Sequence, residues 1–306
     1  MQKQDKEKRR YYSKSKIEAR TAYLCLIPAF IGLTFITYLP LLAVFILSFF
    51  KWAGLSAPVF IGFRNYVQLF TIDPYFKDSI RVTLYFSAIT VIGGMIYSLV
   101  IAMLLNRKIP ARGFFRVLFY LPYLLLAAAI YIGWSWLYET NFGLFNFILK
   151  SIGLKGIMFL SDSSFVVPSL ALISIWLSGN LIVIFLAGLQ NVPRIYHEAA
   201  QIDGANYWER FLNVTLPFMS PIIFYNLLMS LITNMQIVTP ALALTSGGPG
   251  NSSMFMTYLM YTFAFRNNRI GYSCAISFVF FILIAIFTAI LFASSKRWLF
   301  YMGGND

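Results

Sequence analysis

Charge is scarce in this chain. Of its 306 residues only 11% are Asp, Glu, Lys or Arg, against roughly a quarter in soluble globular domains. Hydrophobic residues make up 59%, and the mean hydropathy is +0.72, which excludes a protein that stays dispersed in water. Cysteine is nearly absent: Cys25 and Cys274 are isolated within apolar blocks, so neither a disulfide framework nor a thiolate metal site is available. Histidine occurs once, as His197. Intramembrane hydrolysis needs a carboxylate pair, a zinc cluster or an activated serine, and the apolar blocks carry none of these in recognisable form. No G-x-x-x-x-G-K-[ST] phosphate loop is present, so ATP chemistry by that route is excluded. Any work must be driven from outside the chain.

What is present is apolar sequence in long blocks, near 22–50, 82–105, 117–138, 165–189, 218–240 and 271–294. Crossing a bilayer takes about 20 helical residues, whereas barrel strands alternate over about ten. The blocks predict an all-α integral membrane protein with six transmembrane helices. Every Lys, Arg, Asp and Glu then falls in a loop, a tail or a span edge, where a proton- or sodium-driven transporter keeps ionisable groups near the midplane.

The net charge is +13, and its placement is uneven. The first twenty residues, the loops at 106–116 and 190–217 and the C-terminal tail hold 16 of the 24 basic residues, and the other side holds 8. This bias puts both termini and 190–217 in the cytoplasm, with 51–81, 139–164 and 241–270 outside. The domain plan is a basic cytoplasmic tail at 1–21, a six-helix domain at 22–294 and a cytoplasmic tail at 295–306. The basic run is a topology signal with some attraction to anionic lipid; no aromatic-interleaved basic module follows it, so nucleic acid is not an expected partner. The patterns NVT at 213–215 and NSS at 251–253 match a glycosylation acceptor common by chance, and the first belongs to a cytoplasmic loop.

One loop is unlike its surroundings. "HEAAQIDGANYWERFLNVTLP", residues 197–217, sets polar and charged residues between two apolar blocks. On an unbroken helix Ala200, Gly204, Tyr207 and Phe211 form one stripe, while Asp203, Asn206 and Arg210 face elsewhere. Gly204 can instead turn the chain into two short helices with a corner, and Pro217 then marks the return into the next span. Periodicity alone leaves open whether this segment lies on the bilayer or docks on another protein.

The spacing adds to that reading. Glu198-Ala199-Ala200, Gly204 after three residues and Val214-Thr215-Leu216-Pro217 after nine more resembles the E-A-A loop of ABC importer permeases, E-A-A-x3-G-x9-I-x-L-P, with Val214 in place of isoleucine. "EAAQIDGANYWERF" is most similar to the carbohydrate, maltose-transporter-like branch. "IGFRNYVQLFTIDPYFKDSIRVTLYF" at 61–86 resembles that family's outer loop and second span, and "LTSGGPGNSS" at 244–253 its Gly-Gly-Pro loop. The resemblance implies a type I ABC importer permease fold in the bacterial cytoplasmic membrane. It implies a second permease subunit as a heterodimer partner, a cytoplasmic ATPase dimer that binds ATP and Mg, and an extracytoplasmic solute-binding protein. No cofactor is expected on this chain, which is a transport subunit and not an enzyme. Glu198 would pair with a basic residue of the ATPase, Ala199 and Ala200 would pack into its groove, Gly204 would form the turn, and Leu216 and Pro217 close the motif. Asp203 and Arg210 would bond to the ATPase or to each other.

For the solute path, polar residues inside spans are the candidates, because burying them unpaired is costly. These are Trp176, Ser178 and Asn180 in the fourth span and Asn226, Asn234, Gln236 and Thr239 in the fifth. Amides bond hydroxyls and aromatic faces cover apolar sugar faces, although any one of these side chains also serves as a bond between helices. Gly247, Gly248 and Pro249 in the outer loop are read as a gate, a contact for the binding protein or a plain turn. The readings from other classes are a self-contained secondary transporter, an ABC permease for a non-carbohydrate solute, and an intramembrane enzyme or assembly scaffold.

Overall fold

The computed structural model describes Glu18 and residues 20–300; most of the basic tail at 1–21, and the tail beyond 300, lie outside the described residues. Four helices are long and apolar enough to cross a membrane singly: α1 (Arg20–Leu47), α3 (Pro74–Asn106), α10 (Tyr207–Met235) and α12 (Ile270–Ser295). Two further apolar stretches are broken pairs. The third block becomes α4 (Arg112–Leu124) and α5 (Ala127–Leu137), bent by 100°, and the fourth becomes α7 (Val166–Trp176) and α8 (Gly179–Asn191), bent by 48°. Counting each pair as one span gives six. The shorter elements are α2 (Arg64–Thr71), α6 (Leu144–Ser151), α9 (Arg194–Ile202) and α11 (Met256–Tyr261). The all-α expectation misses one small feature. β1 (Phe50–Lys51) pairs antiparallel with β2 (Val59–Phe60), Phe50 opposite Phe60.

Helix α3 sits at the centre for a reason written in its sequence. Its buried residues include Ser79, Thr83, Ser87, Thr90, Gly94, Ser98 and Ala102, spaced three or four apart and therefore on one face. A stripe of small residues lets neighbouring helices approach closely. Along it, Thr83 Oγ1 accepts from Met256 N at 2.9 Å and Ser98 Oγ lies 2.9 Å from Ser178 Oγ. At the end nearest the 190–217 loop, Ala102 and Leu105 pack with Ile182, Phe185 and Leu186 of α8 and Met219 of α10. At the other end Phe76 joins Leu69, Met235, Leu259 and Ile276.

The breaks fall at residues that permit them. Pro122 inside α4 has no N–H to bond the carbonyl four residues back, and the chain is extended at Leu125 and Leu126 before α5 begins. In the fourth block the chain leaves the helix at Ser178, which has ψ 30°. Gly179 follows where a Cβ would meet Phe119 O at 2.8 Å, so its lack of a side chain admits α4 against α8. By contrast α10 runs through Pro217 unbroken. Leu216 N bonds Phe211 O, five residues back, in a widened turn over Phe211–Thr215, and the proline follows where its missing N–H is accommodated. The helix that carries Pro217 begins ten residues earlier, at Tyr207.

Candidate solute cavity and coupling loop

The 190–217 loop is a rigid corner rather than one helix. Helix α9 ends with Ala205 N bonded to Ala200 O at 2.9 Å and Gly204 N to Gln201 O at 3.1 Å, with Gly204 left-handed at φ +79°. This is the Schellman arrangement that a glycine completes without strain. One residue later Asn206 caps α10: Glu209 N donates to Asn206 Oδ1 at 3.0 Å, and Asn206 N donates to Glu209 Oε2 at 2.7 Å, a reciprocal box that satisfies two free donors. The stripe of Ala200, Gly204, Tyr207 and Phe211 is thus cut at the glycine.

The corner presents one apolar face outward. Ile195 and Ile202 are 68% and 87% exposed, and Glu198 and Ala199 are exposed between them. These four residues share a face at i, i+3, i+4 and i+7. On the other side Tyr196 packs on Phe218 at 4.8 Å, and Ala200 is half-buried. Asp203 and Arg210 form no ion pair among the described residues; Arg210 Nε instead donates to Asn206 O at 3.4 Å. Ile195 and Ile202 escaped the motif-based reading, although the amphipathic spacing of α9 would have found them. Leu216 and Pro217 lie within α10.

Farther along α10 is a cavity of about 410 Å³. Asn180, Asn226, Asn234 and Thr239 all line it, together with Ser178, Tyr123 and Tyr225, and no Asp, Glu, Lys, Arg or His does. Asn226 is 0% exposed, and neither its Nδ2 nor its Oδ1 has a hydrogen-bond partner among the described residues. Asn234 donates from Nδ2 to Ser230 O at 2.8 Å, which leaves its amide oxygen available. Ser178, bonded to Ser98 and to Ile175 O at 2.6 Å, also holds helices together.

Two of the sequence candidates lie elsewhere. Gln236, at the C-terminal cap of α10, lines a separate open cavity with Thr257 and Ser277, because it falls two residues past Asn234 and helical rotation turns it away. Trp176 is 37% exposed and rests on Trp134, ring centroids 5.5 Å apart. The aromatic faces in the cavity come from Tyr123, Tyr131 and Tyr225 instead. The break at Gly179 admits Tyr123, and only a tertiary contact of that kind identifies it.

Residues 94–300 match the family described as binding-protein-dependent transport system inner membrane component. The chain belongs to that family. The permease is 34% identical over 283 residues to the probable ABC transporter permease protein YesP of Bacillus subtilis, covering 91% of each chain. It is 33% identical over 269 residues to the multiple sugar-binding transport system permease protein MsmF of Streptococcus mutans, covering 85% of this chain and 90% of the other. Its fold is also that of a subunit of a bacterial alginate ABC transporter solved in complex with an alginate pentasaccharide-bound periplasmic protein. That match has TM-score 0.78 at 20% identity, over 93% of this chain and 96% of that one.

In the permease the Gly-Gly-Pro loop is folded onto itself. Ser253 Oγ lies 2.6 Å from both Thr245 Oγ1 and Gly248 O. Gly247 sits at φ +87° above Met254 and Tyr258, and the Gly248–Pro249 bond is cis.

Proposed function

We propose that this permease forms half of the path by which an ATP-driven, binding-protein-dependent importer carries a saccharide across the bacterial cytoplasmic membrane. The observation that carries the reading is Asn226, a fully buried amide with two unpaired polar atoms on the wall of a cavity without charged side chains. Leaving such a group unmatched costs about 1–3 kcal/mol, so a hydroxyl-bearing solute that bonds it in one state of the cycle binds that state better. Asn180 and Asn234 add amides that accept and donate, and the tyrosines add ring faces. The name of MsmF and the pentasaccharide-loaded complex of the alginate transporter agree with this class of solute.

The coupling arm of the proposal rests on α9. Its outward face, Ile195, Glu198, Ala199 and Ile202, docks in a groove of a cytoplasmic ATPase that binds ATP and Mg, and a second permease subunit completes the path. The corner at Gly204 is fixed by backbone hydrogen bonds at the end of α9 and by the Asn206–Glu209 side-chain box at the start of α10, and α10 runs from that corner to Asn226 without a break. A displacement of α9 therefore reaches the cavity as movement of a rigid rod. Such a switch needs contacts that differ between its two states. A solute-binding protein delivers cargo from outside, where the Gly247–Gly248–Pro249 loop lies on this topology.

The test is oligosaccharide uptake by the complete transporter in proteoliposomes. Asn226→Ala is expected to raise the apparent KM severalfold, as loss of one hydrogen bond does, while stimulation of ATP hydrolysis by the loaded binding protein persists. Unchanged uptake across saccharide concentrations would remove this cavity from the path.

A further inference from the structure

Behind the coupling corner is a second cavity of about 280 Å³, lined by Asn106, Arg107, His197, Tyr207, Arg210 and Thr215 among others. Its basic groups come from three separate elements: Arg107 from the end of α3, His197 from α9 and Arg210 from the first turn of α10. No Asp or Glu lines it. The Arg107 guanidinium lies over the Tyr207 ring at 5.4 Å, and Arg210 bonds a backbone carbonyl. Neither meets a carboxylate among the described residues. Of the acids adjacent in sequence, Glu209 beside Arg210 is engaged in the cap of α10, and Glu198 beside His197 is exposed and lies off the cavity. Loss of solvent, and next the Arg210 charge, hold the half-buried His197 below its ordinary pKa.

The two guanidinium charges, brought to one cavity from α3 and α10, repel one another, and an anion between them removes that repulsion. Two planar guanidinium groups suit a phosphate, which they bond in fork geometry, and Thr215 and Asn106 add neutral donors. Position argues against an acidic side chain of the ATPase. Successive helical residues are about 100° apart, so Ile195, Glu198, Ala199 and Ile202 face away from His197, and a protein docked on them leaves the cavity behind the helix. We propose that this cavity binds a phosphate group, from an anionic lipid headgroup or a soluble phosphate compound, and thereby clamps the coupling loop to the end of α3. The proposal does not depend on which solute the permease passes.

The test uses the complete transporter without nucleotide, in phosphatidylcholine nanodiscs, with radiolabelled inorganic phosphate as the probe at constant ionic strength. Wild type is compared with Arg107→Gln, Arg210→Gln and the conservative Arg210→Lys, each checked for co-elution with the ATPase. Each Gln variant is expected to weaken phosphate binding about tenfold or more, and Arg210→Lys less. A second arm adds phosphatidylglycerol and counts the molecules retained by native mass spectrometry. Loss of phosphate binding in the variants identifies a soluble phosphate compound as the source. Loss confined to retained phosphatidylglycerol identifies the headgroup. Equal binding and retention in wild type and variants overturn the proposal. Variants that shed the ATPase with both anions unchanged also overturn it, and place a partner's carboxylate in the cavity. Arg107 is exposed and its side chain makes no hydrogen bond among the described residues, so its variant keeps the test open if Arg210 proves necessary for folding.

Discussion

Two of the cavities that border α10 differ in kind. Near the start of the helix, Arg107, His197 and Arg210 surround one; about 24 Å farther along, sixteen residues from Arg210 to Asn226 at 1.5 Å each, Asn226 and Asn234 line another that has no charged side chain. Depth explains part of the contrast. A fixed charge at the middle of a membrane-spanning helix costs about 2.5–3.5 kcal/mol, while the same charge at a helix end stays near water. Neutrality at the middle of α10 therefore does not by itself name a solute. What does is polarity without a partner, and Asn226 is the residue that has it.

Adding charge to the neutral cavity gives the sharpest break. Asn226→Asp keeps the shape of the side chain and buries a carboxylate where nothing answers it. Transport by the reconstituted importer is expected to fall by more than in Asn226→Ala, because an unpaired buried charge costs more than a missing hydrogen bond. Equal effects of the two variants would mean that the position is wetted in the working state and that the contrast between the cavities is weaker than drawn.

The corner that joins the two regions comes next. A Cβ at Gly204 would meet nothing within 4 Å, so a larger residue does not jam the turn inside this chain. The cost comes from φ +79°, which asparagine tolerates and a β-branched residue does not. Gly204→Val is expected to abolish uptake while the protein still inserts, and Gly204→Asn to retain most of it. Loss in both variants would point to close approach by another surface instead of backbone conformation. Glu198→Lys, on the outward face of α9, is expected to separate ATP hydrolysis from uptake.

Legibility followed the range of the interaction. The helical blocks, the corner at Gly204 and five polar residues of the cavity wall, Ser178, Asn180, Asn226, Asn234 and Thr239, follow from composition and local spacing. The small-residue face of α3, from Ser79 to Ala102, was equally local but masked by a sequence that reads simply as apolar. The 100° bend after Pro122 was not legible, because a proline permits several outcomes and packing selects one. Gln236 and Trp176 show the other limit. Being polar or aromatic in a span says nothing of which face the residue occupies, and the choice between faces is made by helix partners that one-dimensional spacing does not name.

Those two residues supply a smaller, finer test of the cavity wall. Asn234→Ala is expected to raise the apparent KM for saccharide uptake severalfold, whereas Gln236→Ala and Trp176→Ala are expected to leave it unchanged, since both side chains lie off the wall. A KM that rises with Gln236→Ala and not with Asn234→Ala would move the path to the opposite side of α10.

The smallest expected effect separates the two ends of α10 by pH. Desolvation, and then Arg210, lower the pKa of His197, while no His, Asp or Glu lines the solute cavity. Above the unfolded value near 6.5 the imidazole is neutral whether the corner is folded or open, and it contributes no pH dependence. As pH falls below that value the opened loop takes a proton before the folded loop does. The open form then binds more protons, and stability falls with pH until the lowered folded value is passed. Hydrogen exchange of the α9 amides, corrected for intrinsic rates, is expected to show weaker protection at pH 5.5 than at pH 7.5. His197→Gln should flatten that difference, and amides around Asn226 should not respond to it. A phosphate in the basic cavity opposes the loss, because an anion beside His197 raises its pKa toward the ordinary range. Equal acid sensitivity in wild type and His197→Gln would assign the effect to another group and leave the single histidine without a role at the corner.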